Sequence, residues 1–230
     1  ASAAEDPANA APVTLTLADG RVFDRPGNLF GVTESTLWGT SPDYSSAVAA
    51  DLDDDGALGF GDVLPDALVL AAAARALDEQ ARALQTAAQA WQPNPSDAFT
   101  ALVVMVPTMS EYFASWRDSR FVAGNASTQR DFVVISRLAD VQDILSGLRV
   151  VYGQVQPMAQ SVHADQAALI DSGLSDLLDF VATIATAEAE GRRYTPEEAD
   201  MLGAEAQNRA TAITGQISQV AALLGIDIAD

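Results

Sequence analysis

The sequence contains no cysteine, no lysine and a single histidine, His163. Without cysteine the chain cannot form disulfides, thiolate metal sites or a cysteine nucleophile. All twelve basic residues are arginine, and the 32 acidic residues bring the formal net charge to −20. Such a charge repels nucleic acids, whereas an acidic surface suits cations, high salt or simple solubility. We therefore expect metal ions, and not nucleic acid, among the partners of this protein.

Long apolar runs are also missing. No run reaches the ~18 residues that a membrane span requires, and the run at 101–106 has only the length of a core segment. The sequence begins with small residues, followed by Glu5, Asp6 and Pro7, which resembles what remains after removal of a signal peptide. We therefore expect an exported protein without a membrane span, located in the periplasm or at the cell surface.

Apolar residues recur with helical spacing in the segment 132–156. Their steps of 3, 4, 3, 4 and 3 place them on one face of an α-helix. They are Leu138, Val141, Leu145, Leu148, Tyr152 and Val155. Burial of such side chains contributes roughly 1.5–3 kcal/mol each. This helix, which we expect Pro157 to end, therefore needs partner helices to cover its apolar face.

Other segments supply these partners. We predict helices over 63–91, 165–190 and 195–224, and a pair of helices that is interrupted at Pro107. The apolar stripe of the helix over 63–91 is Leu77, Ala81, Leu84, Ala88 and Trp91, and that of the helix over 165–190 is Ile170, Leu174, Leu177, Val181 and Ile184. Ser96 or Asp97 can cap the interrupted pair, whose second helix we expect over 109–121. Thr195 and Glu198 form a capping-box pattern, and Gly225 is a typical stop.

These patterns predict a mainly α protein, an antiparallel bundle of four to five long helices with a small N-terminal β-hairpin and irregular segment. The hairpin is expected from the alternating residues 13–17 and the return at 21–23, and the segment 24–43 is expected to be irregular. The predicted division is 1–62 for the N-terminal part and 63–230 for the bundle.

The segment 51–62 matches the pattern of a calcium-binding loop. Its predicted ligands are Asp51, Asp53, Asp55, the carbonyl group of Ala57, and Asp62. Gly56 allows the sharp turn, and Leu58 is the expected apolar anchor. The alternative is a solvated acidic loop before a helix. Because the chain has only one such loop, we expect a structural calcium site and not a sensor.

A second, oxygen-rich metal site is conceivable around Glu111 and Asp118. The two acids are seven residues apart, which places them on one helical face, and acids between 197 and 200 could join them. The alternative is that Glu111 and Asp118 form surface ion pairs with Arg117 and Arg120.

His163 is the only candidate base for a serine triad. It would have to act with Asp165 or Asp171, but no nucleophile elbow is present. A lone histidine near a helix start more often caps that helix or lies on the surface. The sequence also contains no phosphate-binding glycine loop and no zinc-ligand spacing, so we expect a protein that is not an enzyme.

Six segments of the C-terminal half share a pattern with a known family: residues 115–121, 136–141, 147–152, 156–157, 167–171 and 216–220. In these segments the chain resembles the imelysin family, which includes periplasmic EfeO-type iron-uptake proteins. The resemblance implies an all-helical, exported protein tied to acquisition of iron or another metal. The Gly-x-His-x-x-Glu motif of the family is absent, because Ser161 and Val162 precede His163 and Ala164, Asp165 and Gln166 follow it.

The sequence therefore favours an exported, non-catalytic imelysin-like protein that serves metal acquisition, with iron the first expectation, at the cell envelope. An envelope or outer-membrane protein is the expected partner. One alternative is a calcium-stabilised interaction or adhesion module, and a weaker alternative is a metal-dependent peptidase.

Overall fold

A computed structural model describes residues 14–24, 29–41, 44–52, 54, 56–59, 61–128 and 134–228. These residues form two compact units. The described residues up to Trp91 make the N-terminal unit, and Gln92–Thr128 with the described residues from Val134 onward make the helical unit. The mainly α fold class is confirmed, because long helices dominate and the strands are short.

The N-terminal unit contains two small antiparallel sheets. The first is the predicted hairpin, in which β1 (Thr14–Thr16) pairs with β2 (Val22–Asp24) and Leu15 lies opposite Phe23. The second sheet was not predicted. It pairs β3 (Ser45–Ala49) with β4 (Val63–Pro65), and Ala49 lies opposite Val63.

A helix, α1 (Leu29–Trp38), occupies much of the segment that we expected to be irregular. Its sequence lacks a continuous apolar stripe, so periodicity did not reveal it. Gly39, with φ +62°, ends the helix, and a Cβ atom there would lie 2.6 Å from the Cβ atom of Val63. Close packing of the backbone on β4 therefore stabilises this end of α1.

Helix α2 (Ala67–Ala90) begins later than the predicted residue 63, because 63–65 form β4. The Asp66 carboxylate caps it by accepting hydrogen bonds from the amides of Leu68 and Val69. Only its first turns are buried, through Val69, Ala72 and Ala73. Ala73 packs with Leu15 of β1 and Val32 of α1, and Val69 and Ala72 pack with Leu17, which follows β1. Because these contacts join α2 to the N-terminal unit, the boundary between the two units lies after Trp91 and not at residue 62.

The predicted packing stripe of α2 is wrong in its second half. Residues 81–91 are exposed, and Leu84 and Trp91 have 71% and 60% of their surface accessible. Ala81 and Ala88 contribute too little apolar surface to hold a partner helix. The segment is helical, as its spacing predicts, but the apolar positions of its second half are not buried.

In the helical unit, a helix pair is interrupted at Pro107, as predicted. Helix α3 (Pro95–Met105) is followed by a 3-10 turn at Val106–Thr108 and by α4 (Met109–Arg117). The cap of α3 is Asn94, in a capping box with Asp97, and not Ser96 or Asp97. The predicted end at residue 121 is also wrong, because Ser119 starts a short helix, α5 (Arg120–Ala123).

One helical stretch of the described residues, Pro95–Arg117, is long and apolar enough to cross a membrane by length and composition alone. Core helices of bundles meet the same criterion. Here the stretch is interrupted at Pro107, and Phe99, Leu102 and Trp116 are buried in the core of the helical unit.

Helix α6 (Arg137–Ala189) does not end at Pro157, contrary to our prediction. Val155 and Ala159 are buried on either side of Pro157, and their packing offsets the ~3 kcal/mol that an interior proline costs. The break comes instead at His163, whose backbone is extended (φ −158°, ψ 90°). Two arms result, residues 137–162 and 164–189, and the Tyr152 hydroxyl donates to the Ala167 carbonyl group across them at 2.7 Å.

Helix α7 (Pro196–Leu224) has the predicted ends. Thr195 and Glu198 form the capping box, and Gly225 adopts the left-handed conformation (φ 66°). The helix runs antiparallel to α4, because Ser110 contacts Gln207 whereas Arg117 contacts Asp200.

One continuous core joins α3, α4, α7 and both arms of α6. All six residues of the first predicted stripe are buried in it, as are the five of the stripe on the second arm. Leu145, Leu177 and Ile213 lie together in this core, which confirms the predicted antiparallel bundle.

Candidate metal loop and bundle-end cavity

The calcium-type segment 51–62 connects β3 to β4. The amide of Ala50 donates to the carbonyl group of Asp62 at 2.9 Å, and the pair Ala49 and Val63 continues the sheet below. The segment is therefore a hairpin connection followed by a strand, and α2 begins only after β4. A sheet, and not two helices, holds its ends together.

Asp62, at the last position of the pattern, closes the segment. It is only 4% exposed, and its Oδ1 and Oδ2 atoms accept hydrogen bonds from the amides of Leu52 (2.9 Å) and Gly59 (2.7 Å). The Leu52 amide first, and then that of Gly59, hold the pKa of Asp62 below the usual value of an aspartate. The carboxylate is thus kept ionised and fixed at the base of the loop.

Asp51, at the first position, is turned towards the middle of the segment. Its Oδ2 atom accepts a hydrogen bond from the amide of Gly56 at 2.9 Å, and Gly56 has the positive φ (+81°) that the pattern requires. Ala57 is described and exposed, and Leu58 is 68% exposed and so does not act as the expected apolar anchor.

Asp53 and Asp55 lie outside the described residues, so the predicted set of calcium ligands stays a prediction. In the described part, Asp51 and Asp62 hold carboxylates at both ends of the loop, and the Gly56 turn brings the middle of the loop to Asp51, while both oxygens of Asp62 already accept amide hydrogen bonds.

At the second predicted metal site, the guanidinium group of Arg117 engages Asp118. Its Nε and Nη2 atoms donate to the two carboxylate oxygens at 2.8 and 2.9 Å, and its Nη1 atom donates to Asp200 at 2.8 Å. This hydrogen bonding lowers the pKa of Asp118. Glu111 lies exposed on α4. Among the described residues no three His, Asp or Glu side chains form a metal cluster, and the site stays a prediction.

His163 lies exposed between the two arms of α6. Its Nδ1 atom accepts a hydrogen bond from the amide of Gln166 at 3.2 Å, three residues into the second arm. This is the geometry of a helix N-cap. The capping interpretation of His163 therefore accounts for its position, and its Nδ1 lone pair is already used.

A buried acid that the sequence reasoning missed lies at the end of the bundle. Glu188 is 8% exposed, and its Oε1 atom accepts a hydrogen bond from the indole Nε1 of Trp116 at 2.7 Å. Trp116 is itself fully buried and makes edge contacts with the rings of Phe113 and Tyr194. The signal was available, because Glu188 follows Ile184 by four residues and continues the apolar stripe of the second arm.

Glu188 lines an open cavity of about 550 Å³. Phe121, Ser136 and Ala139 contribute to its wall, as do Ala185 and Arg193. The start and the end of α6 meet here because its two arms run antiparallel. Two of the segments that carry the family resemblance, 115–121 and 136–141, therefore come together at this end of the bundle.

Comparison with known proteins extends the resemblance. Residues 21–220 match the family described as imelysin, which also carries the label peptidase M75. The match includes most of the N-terminal unit and not only the C-terminal half. No curated protein and no solved structure matches the chain. The family is related to iron uptake, its members are generally exported, and many are non-catalytic despite the peptidase label. Because the match spans all but the first 20 and last 10 residues, the chain belongs to the imelysin family.

Proposed function

We propose that this protein is an exported, non-catalytic member of the imelysin family that serves acquisition of a metal, foremost iron, at the cell envelope. The match over residues 21–220 carries the proposal, because the family is related to iron uptake. The net charge of −20 supports it, since an acidic surface concentrates cations near the protein.

The non-catalytic role is supported by the only histidine. His163 lacks the glycine and glutamate of the family motif, and its Nδ1 atom accepts a helix amide. A general base must instead reach the proton that it removes.

We also propose that the segment 51–62 binds one calcium ion with a structural role. Its ligands are Asp51, Asp53, Asp55, the carbonyl group of Ala57, and Asp62. The amide contacts of Asp51 and Asp62 support this, because they fix carboxylates at both ends of the loop. A bound cation relieves the repulsion between crowded carboxylates and thereby stabilises the β3–β4 hairpin.

Metal analysis tests the metal-acquisition proposal. The protein is purified without chelator, its bound metals are measured, and iron is titrated by calorimetry. Iron binding at micromolar or better affinity supports the proposal. Calcium as the sole bound metal favours a calcium-stabilised interaction or adhesion module, and peptide hydrolysis that is lost on chelation favours a peptidase; either result contradicts the proposal.

Thermal melting tests the calcium loop. Asp53→Ala removes a predicted ligand, so we expect it to lower the melting temperature when calcium is present and to leave it unchanged with chelator. Asp54→Asn is the matched control: it removes one charge from the same loop at a non-ligand position, and asparagine tolerates the positive φ (+59°) of Asp54. Identical melting curves of the unmodified protein with calcium and with chelator would refute the site.

A further inference from the structure

We propose that the bundle-end cavity binds a small zwitterion of the α-amino acid class, with its ammonium group on Glu188 and its carboxylate on Arg193. This inference is independent of the iron and calcium proposals. It is carried by two charged groups of opposite sign that line one cavity in the part of the chain that the structure describes.

The ammonium position follows from Glu188. Its Oε1 atom accepts from the Trp116 indole, and no described residue donates to its Oε2 atom. The Glu188 side chain is 8% exposed, and its Oε2 atom stays accessible from the cavity. A charged donor forms a stronger hydrogen bond with a carboxylate than a neutral donor does. The chain has no lysine, so no lysine ammonium group takes that place. A ligand in the cavity can supply one.

An organic amine suits this position better than a bare metal ion. Hard cations such as calcium require several oxygen ligands, but Glu188 is the one carboxylate among the residues that the structure places around the cavity. An ammonium group instead offers three donors and needs only one charged acceptor, with neutral hydroxyl groups completing its hydrogen bonds. The side chains of Ser136 and Thr186 line the same cavity.

The carboxylate position follows from Arg193. Its side chain is exposed at the edge of the cavity and makes no ion pair with the residues described. The preceding Arg192, by contrast, pairs with Glu198 at 3.2 Å. A guanidinium group presents parallel N–H donors that match the two oxygens of a carboxylate. In a chain with a charge of −20, such a group is a selective point of attraction for an anion.

Part of the remaining cavity wall is apolar, alongside the polar Ser136, Gln142 and Thr186. Phe121, Ala139, Ala185 and Ala189 face the cavity, so the ligand's side chain meets hydrocarbon. The volume of about 550 Å³ lies within the range of small-molecule sites. A free amino acid with an aliphatic side chain matches both the charges and the wall.

Calorimetric titration with three probes tests the proposal. L-leucine carries both charged groups, 3-methylbutylamine lacks the carboxylate, and 4-methylpentanoate lacks the ammonium. Because each charge-assisted contact is lost separately, we expect leucine to bind about tenfold or more tightly than either analogue. Absence of leucine binding at millimolar concentration, or equal binding of all three probes, would overturn it.

Two variants test which side chain binds the ammonium group of the ligand and which binds its carboxylate. Glu188→Gln keeps an oxygen for the Trp116 indole and should weaken binding of leucine and 3-methylbutylamine about tenfold, but it should not weaken binding of 4-methylpentanoate. Arg193→Ala should weaken leucine but not 3-methylbutylamine. Because Arg193 is exposed, this second variant folds even if Glu188→Gln does not. The controls are Glu190→Gln and Arg149→Ala, both at exposed positions that do not line the cavity. Unchanged leucine affinity in Arg193→Ala, or equal losses in the controls, would contradict the assignment.

Discussion

Each of the two units of this protein is stabilised internally by a different kind of contact. The helical unit has one continuous core to which α3, α4, α7 and both arms of α6 contribute large side chains. Among the described residues of the N-terminal unit, the buried apolar side chains form two clusters of three residues each. The first is Leu15, Val32 and Ala73, and the second is Leu17, Val69 and Ala72. Packing stabilises the helical unit, whereas the N-terminal unit must depend more on specific polar contacts and turns.

Those contacts are visible at the start of α2. Arg21 donates to Asp19 and to Asp66, at 2.7 and 2.8 Å, and Asp66 in turn caps the helix. Close approaches of backbone add to them, because a Cβ atom at Gly61 would lie 3.2 Å from the Trp38 ring. Such contacts require particular residues at particular positions, so they cannot be predicted from the spacing of apolar residues.

The comparison is tested most strongly by truncating one leucine in each unit. Leu177 is fully buried in the core, so Leu177→Ala should lower the free energy of unfolding by about 2–5 kcal/mol. Leu84 belongs to an equally regular stripe on α2 but is 71% exposed, so Leu84→Ala should change it by no more than about 0.5 kcal/mol. Urea unfolding followed by circular dichroism measures both. A large loss in Leu84→Ala would mean that α2 is packed after all.

Two glycines of α7 give a smaller but more local test. A Cβ atom at Gly203 would lie 2.8 Å from the Cβ atom of Phe113, which is buried in the core and cannot move away. Gly203→Ala should therefore cost about 1–3 kcal/mol. At Gly215 no atom lies within 4 Å of the new Cβ position, so Gly215→Ala should stabilise the same helix by up to ~1 kcal/mol. Melting temperatures that shift in the same direction would contradict this packing of α4 on α7.

The bundle could be predicted because its helices obey rules that act within one segment. The stripe from Leu138 to Val155 and the capping box at Thr195 and Glu198 each identify an element without knowledge of its neighbours. The wrong predictions concern positions at which contacts with other segments determine the local structure. Pro157 stays inside α6 because buried residues flank it, and the chain turns at His163, where a side-chain cap starts the second arm.

The candidate sites divide in the same way. The loop pattern at 51–62 was found from its spacing, but its setting between β3 and β4 depends on strands too short to predict. Apolar periodicity does not identify Glu188, because an acid at the next step of the stripe is expected on the surface and not in the core. Glu188 is buried in register with a core stripe, whereas the predicted ligand Glu111 is exposed and Asp118 pairs with Arg117.

A third test concerns the contact that joins the two arms of α6. The Tyr152 hydroxyl donates to the Ala167 carbonyl group, so Tyr152→Phe should cost about 0.5–1.5 kcal/mol at neutral pH. Burial, followed by the nearby charge of Asp171, raises the pKa of Tyr152 to about 12 from the usual 10.0. Above pH 10 the unfolded chain therefore loses this proton before the folded one does, which favours unfolding. The advantage of the unmodified protein over Tyr152→Phe should be constant below pH 10 and should shrink as the pH rises towards 12. Urea midpoints of both proteins across this range measure the difference, in which the other tyrosines cancel. A difference that is independent of pH would show that folding does not raise the pKa of Tyr152. The two arms of α6 would then be packed less tightly around its hydroxyl group than the rest of the core is.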